Sequence, residues 1–261
     1  MKIALSILAL PALILAQTIQ VVPVAPTPFP EQVETRIVFP KPGEVERRQP
    51  LSIQVRIDGF SLGAASQFPR ANVLQNDPKG QSLHVVVDDN PYLSHYQASE
   101  DSFDEDRSFY DKTVTFKLPE NLKAGQHVLR IFPVRSFGES IKAKKALATR
   151  IFYVGAKTPT IDFDPTKPFL TYNAPQGSYS AAKSDPILLD FEVTNARLSQ
   201  DGYKIRLSVD DKEIETLTMW VPYYLYNVPK GTHKVRLELL DPNNQKVPGL
   251  FNDTTREITV N

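Results

Sequence analysis

Apolar and polar residues alternate along most of the chain beyond residue 50, which is the pattern of half-buried β-strands. The alternation is clearest in residues 51–57, 113–118, 189–194 and 203–210. Each run predicts a strand with one face in a core and the other in water, as in an antiparallel sheet. No segment of useful length shows a helical period, although residues 99–108 could form a short helical turn. The pattern predicts an all-β protein.

Three matched segments form an internal repeat. They pair residues 84–89 with 206–211 (both ending Val-Asp-Asp), 125–130 with 231–236 (both Gly-x-His-x-x-Arg), and 150–154 with 256–260 (both Arg-led and ending in Val). In each copy the arginine follows the glycine by 25 residues, from Gly125 to Arg150 and from Gly231 to Arg256. Three matches in one order with one shared interval indicate a duplication.

The first copy is longer than the second. Asp88 and Gly125 are 37 residues apart, whereas Asp210 and Gly231 are 21 apart. The first copy therefore carries about sixteen extra residues, which we place at about 91–109 because insertions in repeats map to loops.

Two units of about a hundred residues, each with about seven short strands, suit two tandem immunoglobulin-like β-sandwich domains. We predict domain 1 at 35–155, a linker at 156–168 where prolines interrupt the pattern, and domain 2 at 169–261. The Gly-x-His turns with their alternating strands (125–131 and 231–239) and the closing strands that end in Val154 and Val260 resemble immunoglobulin-like or fibronectin-III-like domains of bacterial exported proteins. That resemblance implies binding, spacing or adhesion, and the fold does not choose among them.

The N-terminus has the pattern of a signal peptide. Lys2 precedes an apolar run from Ile3 to Ala16, and polar residues follow. We predict a signal peptide at 1–16, in preference to a buried helix, and an exported protein that is periplasmic or secreted. A spanning helix needs about 20 apolar residues, so no transmembrane anchor is expected. Gln17 stands where a lipoprotein would carry its lipidated cysteine, so no lipid anchor is expected either.

Residues 17–34 contain prolines at positions 23, 26, 28 and 30. This composition predicts an extended, semi-rigid spacer ahead of the first domain. Docking of the segment into a partner's aromatic groove is the alternative interpretation.

Composition narrows the classes of function. The chain has 30 basic and 30 acidic residues, so it has no basic field to gather phosphates and nucleic acid is a poor candidate partner. It has no cysteine, which excludes disulfides, zinc–thiolate sites and thiol catalysis.

The repeated polar residues are predicted to maintain the fold. His127 and His233 each follow a turn glycine by two residues and share the parity of core positions. We expect each ring to bond a neighbouring backbone group, and the Asp pairs 88–89 and 210–211 to cap turns. Arg150 and Arg256 are each expected to pair with an aspartate of their own domain.

The acidic stretch at 100–106 is the candidate metal site. Asp101, Asp104 and Asp106 could supply hard oxygen ligands to Ca²⁺. The spacing does not fit an EF-hand loop, which needs glycine at its sixth position, so a solvated loop is the favoured interpretation. No cofactor is expected.

Two aromatic groups are the candidate binding surface. Trp220, Tyr223 and Tyr224 lie close together in the second domain, and Tyr92 and Tyr96 lie in the insertion. Rings displayed on a sheet can stack on sugars or anchor a protein interface. The alternative is that strand alternation buries them in the core, a possibility as strong as display for Trp220 and stronger for its neighbours.

No enzyme motif is present: the chain lacks a Gly-x-Ser-x-Gly elbow, a His-Glu-x-x-His pair and a phosphate-binding glycine loop. Neighbouring carboxylates such as Asp104 and Glu105 could serve a glycosidase, but nothing places them in a cleft. The sequence therefore predicts a non-catalytic exported binding or spacer protein with a protein or glycan partner in the cell envelope. A carbohydrate-binding module is the alternative, and an exported hydrolase is less favoured.

Overall fold

The computed structural model describes residues 18–96, 113–180 and 186–261. Within these ranges the chain is almost entirely β, with one short 3₁₀ helix at Pro69–Asn72. The strands up to residue 154 are β1 (Gln20–Pro23), β2 (Glu34–Phe39), β3 (Val45–Glu46), β4 (Ser52–Asp58), β5 (Ser82–Val87), β6 (Leu93–His95), β7 (Thr113–Lys117), β8 (Gly125–Val134) and β9 (Ala148–Val154). The remaining strands are β10 (Phe169–Ala174), β11 (Gly177–Tyr179), β12 (Ile187–Thr194), β13 (Lys204–Val209), β14 (Lys212–Leu217), β15 (Tyr223–Tyr226), β16 (Gly231–Leu240) and β17 (Asp253–Val260).

The strands form two β-sandwiches with the same topology. In the first, sheet β2-β4-β7 faces sheet β3-β9-β8-β5-β6; in the second, β10-β12-β15 faces β11-β17-β16-β13-β14. The short strands β3 and β11 run parallel to the closing strands β9 and β17, and all other pairings within the two sandwiches are antiparallel. This arrangement corresponds to the two sheets of an immunoglobulin-like domain. The predicted fold class of two tandem immunoglobulin-like β-sandwiches is confirmed.

Each sandwich has its own hydrophobic core. In the first, strand β4 alternates as predicted, with Ile53, Val55 and Ile57 facing inward against Leu83 and Leu129 of the opposite sheet. The second core is built in the same way around β12, β13 and β16. Burying one such side chain contributes about 1.5–3 kcal/mol, so two separate cores hold the two sandwiches without disulfides.

The N-terminal segment does not behave as the predicted spacer. Strand β1 pairs antiparallel with β15 of the second sandwich, with Val21 opposite Leu225 and Val22 opposite Tyr224. It adds a fourth strand beside β15, at the position that strand D holds in an immunoglobulin sheet. The prediction of a spacer was wrong here because β1 comes before most of the prolines, and residues 20–22 keep the N–H groups that a sheet requires.

The chain then crosses from the second sandwich to the first. The backbone N–H and the hydroxyl of Thr27 both donate hydrogen bonds to the buried carboxylate of Glu139, which also accepts one from Arg70. Phe29 and Val33 pack on the first core. We call residues 18–33 the strap, because they contact both sandwiches.

The predicted signal peptide at 1–16 lies outside the described residues. Among the described residues no helix is long and apolar enough to cross a membrane.

Candidate ligand pocket between the two sandwiches

The two sandwiches meet through the outer faces of their sheets, including the face of β12 that the sequence pattern assigns to water. The outer faces of β5 and β8 pack against the outer faces of β10 and β12, and every residue of β5, β8 and β10 is buried. On β12, Asp190 is 0% exposed and Glu192 is 3% exposed. The expectation of a solvated second face is therefore wrong for β12, because the other domain covers it.

A buried ion cluster lies at the centre of this interface. Lys142 Nζ lies 2.8 Å from an Asp190 oxygen and 3.0 Å from a Glu192 oxygen, and the Ser140 hydroxyl lies 2.6 Å from the same Glu192 oxygen. Burial lowers the pKa of Lys142, but the attraction of the two carboxylates outweighs it and the pKa is raised. Burial raises the pKa of Glu192, and the nearby Lys142 only partly offsets this. Because unpaired buried charges are costly, the cluster fixes how the sandwiches dock.

A second buried cation also crosses the interface. Arg130 of β8 donates to the Leu170 carbonyl and the Thr171 hydroxyl of β10, both at 3.1 Å, and to the Asp88 carbonyl. Its guanidinium lies 3.7 Å from the ring centroid of Phe251. The planar donor group is thus anchored in both sandwiches.

The repeated arginines do not pair as predicted. Arg150 donates to the Ile37 carbonyl at 2.7 Å. Arg256 of the second sandwich reaches the first, where it donates to the Asp89 carbonyl at 2.8 Å and approaches its carboxylate at 3.4 Å. Equivalent positions therefore serve different purposes, since one arginine holds its own domain and the other joins the two.

The repeated histidines bond to the backbone as predicted. His127 Nε2 lies 2.8 Å from the Lys123 carbonyl, and His233 Nε2 lies 2.9 Å from the Pro229 carbonyl. The aspartates do not cap their own turns as expected: Asp88 and Asp210 each hold the matching histidine Nδ1 at 2.7 Å. Each carboxylate also accepts a hydrogen bond from the backbone N–H of the residue after its histidine, Val128 for Asp88 and Lys234 for Asp210.

A pocket of about 320 Å³ opens at one end of the interface. The first sandwich contributes Tyr92 and Tyr96, and the second contributes Gln176 and Tyr179. Its other side chains include Asp77, Ser82, His84, Arg135, Phe137 and Leu188. Two of the five predicted binding residues, Tyr92 and Tyr96, thus meet here.

Tyr92 is held in place from both sides. Its ring stacks on His84 with a centroid separation of 3.5 Å. The side-chain amide of Gln176 accepts from the Tyr92 N–H and donates to the Tyr92 carbonyl, both at 3.3 Å. Burial raises the pKa of Tyr92 to about 12, so the hydroxyl remains protonated and can donate to a ligand. In the described part of the chain, nothing accepts a hydrogen bond from this hydroxyl.

Tyr96 forms the outer wall. Its hydroxyl donates to Asp77 Oδ2 at 2.6 Å, and the Lys79 ammonium lies 5.3 Å from the ring centroid. The other Asp77 carboxylate oxygen accepts a hydrogen bond from the backbone N–H of Lys79 at 2.9 Å. A second cavity of about 460 Å³ lies beyond this wall and shares Ser94 and Tyr96 with the pocket.

The second sandwich completes the site with Tyr179. Its hydroxyl accepts the Gln176 N–H at 3.1 Å, so the hydroxyl proton is available to another acceptor. Burial raises the pKa of Tyr179, which keeps it neutral.

The other three predicted binding residues lie elsewhere. Tyr223 is 3% exposed and Tyr224 is 8% exposed, so they form core rather than a surface for ring stacking. Trp220 is half-buried against the second core, with its ring 5.9 Å from Lys142 Nζ. Burial is therefore the interpretation that the structure supports for Tyr223 and Tyr224, whereas Trp220 is only partly buried.

The candidate Ca²⁺ ligands Asp101, Asp104 and Asp106 lie outside the described residues. In the parts of the chain that the structure describes, no group of three potential ligands could hold a metal ion.

Sequence reasoning missed His84, Gln176 and Tyr179. The alternating pattern contains no signal for an interface between domains. One available clue was the position of Tyr92 and Tyr96 next to a repeated strand, because it ties the insertion to a fixed part of the fold.

Comparison with known proteins found no matching family model and no matching curated protein. Among solved structures, the chain is similar to fibronectin(III)-like modules of CbhA from Clostridium thermocellum, with 13% identity, 87% of this chain and 93% of that chain covered, and a TM-score of 0.28. It is also similar to SGBP-B of the mixed-linkage glucan utilization locus of Bacteroides ovatus, with 16% identity, 87% of this chain and 47% of that chain covered, and a TM-score of 0.21. A third similar structure contains immunoglobulin domains 1–4 of Sidekick-1, with 10% identity, 90% of this chain and 51% of that chain covered, and a TM-score of 0.23. The chain spans about half the length of the last two. At these identities and TM-scores the similarity does not indicate a function, so the function has to be inferred from the pocket.

Proposed function

We propose that the protein is a non-catalytic binding protein whose interdomain pocket holds an uncharged, hydroxyl-rich ligand, namely a saccharide. The observation that carries the proposal is that Tyr92 and Tyr96 of one sandwich and Tyr179 of the other line a single pocket. Aromatic rings bind the apolar faces of sugar rings, and hydroxyl and amide groups bind their hydroxyls.

The charges in the pocket favour a neutral ligand. The Asp77 carboxylate already accepts hydrogen bonds from the Tyr96 hydroxyl and from the backbone N–H of Lys79. The guanidinium of Arg135 donates to Gln81 Oε1 at 2.6 Å and to the Pro28 carbonyl at 2.8 Å. Both charged groups therefore already have protein partners, and most of the other polar groups of the lining are uncharged phenol and serine hydroxyls, side-chain amides and an imidazole.

The size of the pocket also supports a small ligand. About 320 Å³ lies at the lower end of the range for small-molecule sites, which suits one or two sugar rings. The second cavity beyond Tyr96 would let a longer chain leave the pocket.

The chemistry of the lining favours binding over hydrolysis. Asp77 is the only carboxylate among the described residues that line the pocket. Glycosidases generally need two carboxyl groups on either side of the scissile bond, so this lining does not supply that pair.

Export is part of the proposal and rests on the N-terminal pattern. The charged start, apolar run and small Ala16 favour delivery across a membrane, where envelope glycans would be the available ligands. Fractionation of cells that express the full chain, with N-terminal sequencing of the product, tests this part. Recovery of uncleaved protein in the cytoplasm would contradict it.

Saturation-transfer NMR with methyl glucoside, cellobiose, xylobiose, mannobiose and chitobiose tests the binding function. We expect transfer to at least one saccharide, and its loss in the Tyr92→Ala/Tyr179→Ala double variant with an unchanged circular dichroism spectrum. Tyr153→Phe, on β9 and away from the pocket, is the control and should bind normally. Absence of transfer to any saccharide, full binding by the double variant, or binding only to proline-rich peptides would overturn the proposal.

A further inference from the structure

We propose that His84 is the residue that determines ligand specificity in this pocket, because its Nε2 accepts a hydrogen bond from a ligand hydroxyl at the pocket floor. The inference rests on the proposed binding function and deepens it. It predicts that the ligand must present an O–H donor to the floor.

His84 is built into the floor and is only 4% exposed. Its Nδ1 lies 2.7 Å from Asn173 Oδ1 on strand β10 of the other sandwich. Tyr92 stacks on the ring at 3.5 Å, and Phe132 contacts it edge-on at 5.8 Å. The ring is therefore held in one orientation by residues of both domains.

The tautomer of His84 follows from the bonds of Asn173. Asn173 Nδ2 lies 2.8 Å from the Gly138 carbonyl and 2.6 Å from Asp190 Oδ2, and both of these atoms can only accept. The side-chain amide is thereby fixed with its nitrogen on that side and its oxygen towards His84. Because Asn173 Oδ1 can only accept, the proton of the imidazole lies on Nδ1.

The other ring nitrogen is then a free acceptor. Burial lowers the pKa of His84 to about 3, so the ring is neutral at any physiological pH and Nε2 carries a lone pair. Among the described residues nothing donates to Nε2, although the ring lines the pocket. Because the ring lines the pocket, a ligand hydroxyl that enters it can donate to this lone pair.

The same chain of hydrogen bonds connects the floor to the ion cluster. Asp190, which orients Asn173, is paired with Lys142 at 2.8 Å. The acceptor at the floor is thus fixed before any ligand arrives, and pre-organisation of this kind favours discrimination between ligands.

Two-bond ¹H–¹⁵N NMR of the free protein tests the tautomer. We expect His84 to show a protonated Nδ1 and an unprotonated Nε2. On titration with the disaccharide that gives the strongest saturation transfer, only the Nε2 resonance should move in the direction of an accepted hydrogen bond. A proton on Nε2 in the free protein would overturn the inference while leaving the proposed function intact.

The His84→Phe variant tests how much the hydrogen bond to Nε2 contributes to ligand affinity. Phenylalanine keeps the stack on Tyr92 but removes the acceptor, so affinity for that disaccharide should fall about tenfold. Tyr153→Phe should leave it unchanged. Unaltered affinity in His84→Phe, with the Nε2 resonance unmoved by ligand, would overturn the inference alone. If no saccharide binds the natural protein, the proposed function fails and the inference fails with it.

Discussion

The backbone N–H of Thr27 donates to Glu139 Oε1 at 2.5 Å across 112 residues of sequence. Glu139 also accepts from the Thr27 hydroxyl at 2.8 Å and from Arg70 at 2.5 Å. Since β1 belongs to the sheet of the second sandwich, this carboxylate ties a strand of one domain to the body of the other. The strap is therefore a structural part of the two-domain unit.

Replacing Glu139 should release the strap. In Glu139→Ala, Arg70 and the Thr27 N–H lose their acceptor in a buried site, so the free energy of unfolding should fall by about 2–3 kcal/mol. Limited proteolysis should then cleave within residues 24–33 of the variant, and the same segment should be protected in the natural protein. The control is Glu34→Ala, which breaks an exposed pair with Arg36 and should change neither property. Equal behaviour of the two variants would show that Glu139 does not hold the strap.

Removing the cation of the interface cluster should be more damaging. In Lys142→Met the carboxylates of Asp190 and Glu192 lose their buried counter-charge, and stability to urea should fall by about 3–5 kcal/mol. We further expect the natural protein to unfold in a single transition and the variant in two, because each sandwich has its own core and the interface no longer couples them. Lys145→Met removes an exposed lysine and serves as the control. One unshifted transition in Lys142→Met would contradict the assigned role.

These interface residues show where sequence reasoning stops. The pattern of β4 predicts its core face because alternation reports which side of a sheet is apolar. On β12 the polar side carries Asp190 and Glu192, which are indistinguishable by type from residues in water. Only the docking of the second sandwich makes them buried, and a one-dimensional pattern contains no information about docking. The pocket was half-predicted for the same reason: Tyr92 and Tyr96 stand out as aromatic residues, whereas Gln176 gains its role only from the neighbour across the interface.

The His127–Asp88 pair should make stability depend on pH. Burial lowers the pKa of His127, but bonds to the Asp88 carboxylate and the Lys123 carbonyl outweigh it and raise the pKa above its usual value. A raised folded-state pKa means that the folded protein binds the proton more tightly. The contribution is then complete below the unfolded-state pKa of about 6.5 and disappears as pH rises through the folded-state pKa.

An NMR titration of the His127 ring measures this directly. We expect a pKa above that of a histidine in an unfolded peptide, and a decrease of that pKa in Asp88→Asn, where the negative charge is lost but a hydrogen-bond acceptor remains. Between neutral and mildly alkaline pH, the free energy of unfolding should fall more in the natural protein than in Asp88→Asn. A His127 pKa at or below the peptide value would refute the assignment.

Gln176 should control the pocket without controlling the fold. Its amide makes the two bonds at 3.3 Å that hold the backbone of Tyr92, and its own side chain is only partly buried. In Gln176→Ala the amide hydrogen of Tyr92 should exchange faster with solvent, and affinity for the disaccharide should fall about threefold to tenfold, because Tyr92 must be ordered again on binding. The free energy of unfolding should change by no more than about 1 kcal/mol. Gln54→Ala, which removes an exposed amide 3.5 Å from the Thr115 hydroxyl, is the matched control and should alter none of the three. If Tyr92 exchange and saccharide affinity stay as they are in the natural protein, the wall of the pocket does not depend on the second sandwich.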